Sequence, residues 1–538
     1  MNNFQLVRRG LPTILLALLS LPAGAQSFRV QCPTSTITHP VVSATQDNNS
    51  EPAYTGATQF KTSATGNYLV PTANVNGAIK CQQISGGDGY ATMGDGTQTY
   101  MFSFGPLSGI GAIAAGQPGT QFPNVFNNVY SGAPLTPGDP ATTIGGVTPL
   151  TTAQLASVAG FYNGAVGQVP DQDIPGAPID GHVDPRAIMD VGVMNGNIPA
   201  PLMAIDEDDE FFLTLTNVGM IMRPDLFEQH TVHFHGYPNA SAFYDGVPDA
   251  SVAINIGASF TYYYLAPDAG TYFWHCHITP PEHLQMGMVG QIYVHPRQNR
   301  VAAGSSLYTA LQAQQGDLRT ACNSDADILC SNPVPTAANT VARAATGNYA
   351  YNDGDGSTYY DVEYPIQIHG FDPNFHFVGM TFNPEGFADM KDKYFLLNGR
   401  SYPDTVTPGP LQTQSADGVN HFSQPLPTIV NIPAGKKALL RISDLDVTEY
   451  QTLASLGIPM HVIGYNAKLL RDQAGVNLYY DTNSITLAGG ESLDVILDAS
   501  DTTKYPSGSV FYLYTPNLDH LSNDAENFGG LMTEVHII

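Results

Sequence analysis

With 538 residues the chain exceeds what one hydrophobic core organises, so two to four domains are expected. Charged residues make up only 12%, whereas Gly (53) and Pro (40) are abundant and aromatics reach 10%, which favours a turn-rich β protein over a helical or disordered one. A formal net charge of −27 repels nucleic acid and anionic lipid, leaving cationic or neutral partners.

Residues 1–25 read as a cleaved signal peptide. Arg8 and Arg9 precede a short apolar stretch from Leu11 to Leu21, and Ala23-Gly24-Ala25 supplies a small-x-small cleavage site. The stretch is too short for a membrane span, so the mature chain is expected to be periplasmic or extracellular, without membrane insertion. Residues 26–186 read as a loop-rich N-terminal extension. From Gly96 to Pro170 the sole charged residue is Asp139, and Gly, Ala, Pro, Thr and Asn dominate. Long loops over a β domain, or a surface for assembly, both account for this stretch.

The pattern sharpens over 187–297. The runs Leu202–Asn217, Gln229–Gly236, Ser259–Pro267 and Gly270–Ile278 are short and β-like, separated by turn signals at the spacing of a sandwich. Residues 298–354 form a linker or insertion. A second β region over 355–538 carries the runs Tyr394–Gly399, Pro427–Leu445, Ile458–Tyr465, Glu491–Ala499 and Ser509–Pro516. There are five cysteines, and an exported protein usually pairs them. Cys276 stands between two histidines and is expected to stay free. The others are expected to pair as Cys32–Cys81 and Cys322–Cys330, although their positions alone do not fix that pairing.

The chemical signal lies between 230 and 288. His230, His233, His235, His275, His277 and His283 fall there together with Cys276 and Met288. Side chains alternate along a strand, so His233 and His235 share one face, as do His275 and His277, while Cys276 points the other way. On adjacent strands, four imidazoles would converge on one side and a lone thiolate would enter the domain. His230 can lie on the thiolate side, and His283 and Met288 follow on a loop able to fold back. One thiolate, two imidazoles and a weak thioether make a blue-copper set and a poor structural zinc set.

The segments "HTVHFHG" (230–236) and "WHCHITPPEHLQMGM" (274–288) resemble the copper motifs of multicopper oxidases, and Asn195–Asn217 resembles the first strands of their cupredoxin domains. The resemblance covers 187–297 well and 355–538 loosely. It implies an all-β protein of two cupredoxin-like Greek-key β-sandwich domains behind the N-terminal extension. It implies type 1 copper at His230, Cys276, His283 and Met288, and type 2/type 3 copper at His233, His235, His275 and His277. Asp245 resembles the acidic residue that handles protons near the dioxygen site. The implied activity is oxidoreduction, with single electrons passing from a small-molecule, metal-ion or protein reductant to dioxygen.

Two features depart from that family. Cys276 and His283 are two residues further apart than usual, with the insertion in Thr279-Pro280-Pro281-Glu282, and no His-x-His pair beyond 233/235 and 275/277 exists to complete an eight-histidine cluster. The second region instead resembles that of copper nitrite reductases. The resemblance puts His461 at an active-site position and His520 at that of a ligand reaching a neighbouring subunit, which implies a homotrimer. Nitrite reductases, however, have aspartate where His233 stands. A nitrite-reductase-like enzyme, a blue-copper electron-transfer protein with an incomplete cluster and a copper-stabilised assembly protein are therefore the alternatives. Met189, Met194, Met203, Met220 and Met222 read as core fillers and Trp274 as packing, while His369 and His376 lack a motif.

Overall fold

The computed structural model describes residues 35–40, 48, 51–106, 143–144, 148–149, 169–170, 183–184, 194, 196–220, 222–236, 241–256, 258–266, 268–317, 332–380, 386–414 and 420–538. The signal-peptide reading, the pairing of Cys322 with Cys330 and most of the uncharged stretch lie outside these residues. Among the described residues no helix is long and apolar enough to cross a membrane.

The first domain is a two-sheet sandwich. One sheet contains β1 (Ile79–Thr92), β2 (Gln98–Pro106), β4 (Glu210–Gly219) and β6 (Ser259–Leu265), in the order β6-β4-β1-β2. The facing sheet contains β3 (Met203–Asp206), β5 (His233–Phe234), β7 (Gly270–His275) and β8 (Val289–His295), in the order β5-β7-β8-β3. Alternate apolar residues from both sheets meet in one core, with Phe102, Leu213, Tyr262, Phe234, Trp274 and Ile292 all buried. Trp274 packs on Phe104 with ring centroids 4.9 Å apart.

This sandwich begins well upstream of residue 187, which corrects the expected boundary. β1 runs parallel to β4 with Phe212 opposite Cys81 and Leu215 opposite Ile84, and β2 closes the sheet antiparallel to β1. Residues 79–106 thus supply two of the four strands of that sheet. Strand β1 was hidden because it carries Gly86, Gly87 and Gly89, which weaken the strand signal. Cys81 is disulfide-bonded, and Cys276 is the free cysteine among the described residues.

The second domain is another sandwich. One sheet runs β10-β9-β12-β18-β14-β15, from Tyr394–Leu397 (β10), Val362–Phe371 (β9), Lys437–Asp444 (β12), Ser492–Asp498 (β18), Met460–Tyr465 (β14) and Lys468–Leu469 (β15). Tyr480–Thr482 (β16) pairs with β14. The other runs β11-β20-β19-β13-β17, from Val430–Ile432 (β11), Met532–Ile537 (β20), Val510–Tyr514 (β19), Gln451–Leu456 (β13) and Ser484–Leu487 (β17). Val462, Val495, Leu440, Leu453, Leu513 and Val535 fill the space between them.

The two sandwiches meet along the histidine-bearing strands. Thr271 on β7 donates to Asp494 at 2.6 Å, and Gln291 on β8 donates to the Arg441 carbonyl at 2.9 Å. Glu363 on β9 accepts from His295 at 2.8 Å and from Arg441 at 2.8 Å. Burial alone would raise the Glu363 carboxyl, but His295 and Arg441 hold it far below the usual carboxylate range.

Candidate metal centre

Strand pairing positions the site. β5 and β7 are antiparallel, with His233 opposite His275 and Phe234 opposite Trp274. His233, His235, His275 and His277 come together on the edge of this sheet. The His233 ring centroid lies 5.3 Å from that of His235, 5.4 Å from His275 and 5.1 Å from His277. One nitrogen each from His233, His235 and His275 falls within 4.8 Å of the others, a spacing compatible with a shared metal.

Backbone carbonyls set the tautomers. His233 Nδ1 donates to the Asp245 carbonyl at 2.6 Å, and His275 Nδ1 donates to the Cys276 carbonyl at 2.7 Å. A carbonyl only accepts, so Nδ1 carries the hydrogen in both rings and Nε2 presents its lone pair. The Nε2 atoms of His235 and His275 stand 3.0 Å apart. Burial, with neighbouring rings adding to it, pushes His235 down to about 4 and His275 well below its ordinary value, so both rings are neutral at neutral pH. The Asp245 carboxylate reaches within 3.6 Å of His233 Nδ1.

Cys276 faces the opposite way, into the core. Its sulfur lies 3.2 Å from His283 Nδ1, accepts from the Thr231 amide at 3.4 Å, and forms a second grouping of potential ligands with His230. All three residues are fully buried. Burial would raise the Cys276 thiol, but the adjacent His283 ring holds it below its usual value. Burial opposes charge on His283 too, yet the Cys276 sulfur and Glu228 push it up to about 9. His230 is lowered by burial, and neither of its ring nitrogens has a partner among the described residues. Two orphaned nitrogens beside a buried thiol are costly unless a cation occupies the gap, so the donor set fits a soft, thiolate-preferring metal.

The two-residue lengthening between Cys276 and His283 becomes helix α1 (Pro280–Gln285), entered through Thr279 in a left-handed conformation. Met288 is buried just beyond it, and its carbonyl accepts from the Cys276 amide at 3.1 Å. Met286 instead turns towards Gly379 in helix α2 (Pro373–Met380).

Several contributors had no sequence motif. A Cβ on Gly86 of β1 would meet the His230 ring at 2.6 Å, so only glycine admits that ligand. Phe102 packs edge-on to His283 with centroids 5.1 Å apart. His369 Nε2 binds the Leu284 carbonyl at 2.9 Å and His376 Nε2 binds the Gln285 carbonyl at 2.9 Å, so the second domain holds α1 in place. Gly490, also from that domain, hydrogen-bonds His235 through its backbone.

His461 and His520 stand outside both groups of potential ligands among the described residues. His461 pairs with Asp481 at 2.8 Å. His520 is buried, stacks on Phe395 and engages both ring nitrogens, Nδ1 with Gln451 at 2.9 Å and Nε2 with Glu449 at 2.8 Å. Both ring nitrogens of His520 thus find partners within the chain.

A cavity of about 470 Å³ opens beside His235 and His275, with its far wall formed by residues 445–450 and 488–490 of the second domain.

The multicopper oxidase family model matches residues 180–299. The chain is 30% identical over 128 residues to the laccase abr2 of Aspergillus fumigatus, covering 23% of this chain and 20% of that protein. It is 35% identical over 109 residues to a copper-containing nitrite reductase of Rhizobium meliloti, covering 19% and 26%. These matches span between 15% and 26% of the relatives' own lengths. Among solved structures, a blue copper oxidase from Nitrosomonas europaea matches 64% of this chain and 78% of its own, with a TM-score of 0.42 and 20% identity. Over residues 180–299, the chain is similar to the multicopper oxidase family.

Proposed function

We propose that the protein is an exported copper oxidoreductase that takes single electrons from a reductant and passes them to dioxygen. One observation carries this reading. A buried thiol with two histidines, one of them orphaned, is joined through the backbone of residues 275–277 to a group of four histidines. Bound copper would supply one-electron redox chemistry at the first group and dioxygen reduction at the second.

His230, Cys276, His283 and Met288 would hold the first copper. His283 turns Nε2 towards Glu228 and away from the sulfur, so the half-buried Glu228 marks the side from which a reductant approaches. The flanking peptide units of Cys276 supply a covalent link to His275 and His277. His233, His235, His275 and His277 would hold copper at the second group, and Asp245 fixes the His233 tautomer through its carbonyl.

Copper stoichiometry measured together with oxygen uptake tests this. More than one copper per chain with reductant-dependent oxygen consumption is expected. One copper per chain with no oxygen uptake would overturn it. A second reading, a blue-copper electron-transfer protein, is favoured by the ligand count, because the chain has no His-x-His pair beyond 233/235 and 275/277. An intense blue band without a type 2 signal in electron paramagnetic resonance would select that reading.

A further inference from the structure

His376 on α2 is buried, at 1% exposure, with a carbonyl oxygen at each end of its ring. Nδ1 lies 2.5 Å from the Tyr100 carbonyl, and Nε2 lies 2.9 Å from the Gln285 carbonyl. A carbonyl only accepts, so both contacts are satisfied only when both ring nitrogens carry hydrogen. A neutral imidazole has one N–H, and it sets a lone pair against the other oxygen. The observed contacts are therefore those of the imidazolium form. Phe371 packs against the ring with centroids 4.1 Å apart and keeps it between the two carbonyls.

Burial opposes the charge that this geometry requires. It outweighs the two carbonyls and brings the ring down to about 4. The two demands conflict at neutral pH and are reconciled in acid. Of the charged neighbours, His369 on β9 lowers the ring and Asp372, whose carbonyl accepts from the His376 amide at 3.0 Å, raises it. Further out, Asp392 accepts from the Gln285 side chain at 2.9 Å, and Arg223 of the first domain donates to the Gly379 carbonyl in α2 at 2.6 Å.

The two carbonyls belong to the two segments that frame His283. Gln285 stands two residues beyond His283 on α1. Tyr100 stands two residues before Phe102 on β2, and Phe102 packs edge-on to the His283 ring. The two segments are not held equally. Gln285 is also tied through its side chain, which accepts from the Asp372 amide at 2.9 Å and donates to Asp392 at 2.9 Å. β2 is an edge strand of its sheet.

We propose that His376 is a positioning residue for the thiolate site: with both nitrogens protonated it ties Gln285 to Tyr100 and tightens the frame around His283, and with one hydrogen it keeps Gln285 and releases Tyr100. The clamp is closed in acid and open at its Tyr100 end at neutral pH. Closing takes up one proton from solvent and transfers no electron. The second domain thereby adjusts, through α1 and β2, a metal group to which it contributes no ligand. The inference rests on the reading that His283 and Cys276 hold copper together.

The test reads the ring and the copper separately. In metal-free protein labelled at the histidine nitrogens, nuclear magnetic resonance identifies the His376 signals by their absence in His376→Gln. One protonated ring nitrogen is expected at neutral pH and two as pH falls through about 4, with circular dichroism reporting an intact fold. In the copper-loaded wild type, the blue band and the copper hyperfine splitting are expected to shift over the same range. The His376→Gln side chain has its hydrogens at one end and can hold one carbonyl, so its blue band is expected to stay at the neutral wild-type position throughout. A wild-type band that does not move between neutral pH and the onset of acid unfolding overturns the proposal, even if the variant fails to fold. So does a variant that shifts as the wild type does, or a ring that stays singly protonated until the protein unfolds. A copper-loaded wild type with no blue band removes the copper reading itself, and the positioning role with it, whatever the ring titration shows.

Discussion

Glu228 places a carboxylate oxygen 3.4 Å from Nε2 of His283, the ring nitrogen turned away from the Cys276 sulfur. The adjacent His283 ring holds Glu228 below the usual carboxylate range. A negative charge so close to a ligand stabilises the more positive, oxidised state of the metal. Glu228→Gln is therefore expected to raise the reduction potential of the Cys276 site, the lost interaction being worth about 1.5–3 kcal/mol. Redox titration of the blue band checks this, and an unchanged or lowered potential would contradict it.

Replacing the sulfur separates the two metal groups. Cys276→Ser is expected to remove one copper per chain and the blue absorption, and to abolish turnover. His233, His235, His275 and His277 should still bind metal. Metal analysis with electron paramagnetic resonance distinguishes this from a general loss of copper, which would mean that the groups are not independent.

Gly86 tests the upstream strand. Gly86→Ala puts a methyl into the space of the His230 ring, which is fully buried and has little room to move. Overpacking of this kind typically costs 1–3 kcal/mol, so a lower melting temperature and a perturbed blue spectrum are expected together. Loss of stability with an unaltered spectrum would mean that His230 does not ligate.

The contact between the domains should depend on acid. Glu363 is held well below its ordinary value by His295 and Arg441, against the effect of burial. A carboxyl depressed in the folded state binds fewer protons there than in the unfolded chain. Its stabilising contribution is complete above the unfolded value of about 4.3 and is lost as pH falls below it. Glu363→Gln should flatten that acid limb and destabilise the fold at neutral pH, by less than the full loss of a buried pair because Arg441 keeps Asp494 at 3.6 Å. Unfolding measured across the acid range in both proteins would show it.

The readable part of this chain was the part governed by alternation. The tripeptide from His275 to His277 and the repeat from His233 to His235 say which side chains share a face, and the β5–β7 ladder pairs His233 with His275. The unreadable part is held by contacts distant in sequence. Strand β1 has a weak strand signal because its glycines leave room for His230 and for the backbone of Gly196, and its partner β4 begins only at Glu210. His369 and His376 had no motif because they bind carbonyl oxygens of α1, and any residue there would offer the same carbonyl. His520 misled for the converse reason. Its place in a familiar run suggested a ligand, whereas Glu449 and Gln451 occupy its nitrogens.

The parallel seam between β1 and β4 also limits how the protein can be cut. A fragment beginning at residue 187 would keep every expected metal ligand of the first domain but lose half of one sheet, leaving β4 with an open edge and His230 without its glycine floor. Such a fragment is expected to aggregate rather than bind copper. Within the whole chain, residues 79–106 pair with partners distant in sequence, a long-range contact that slows folding.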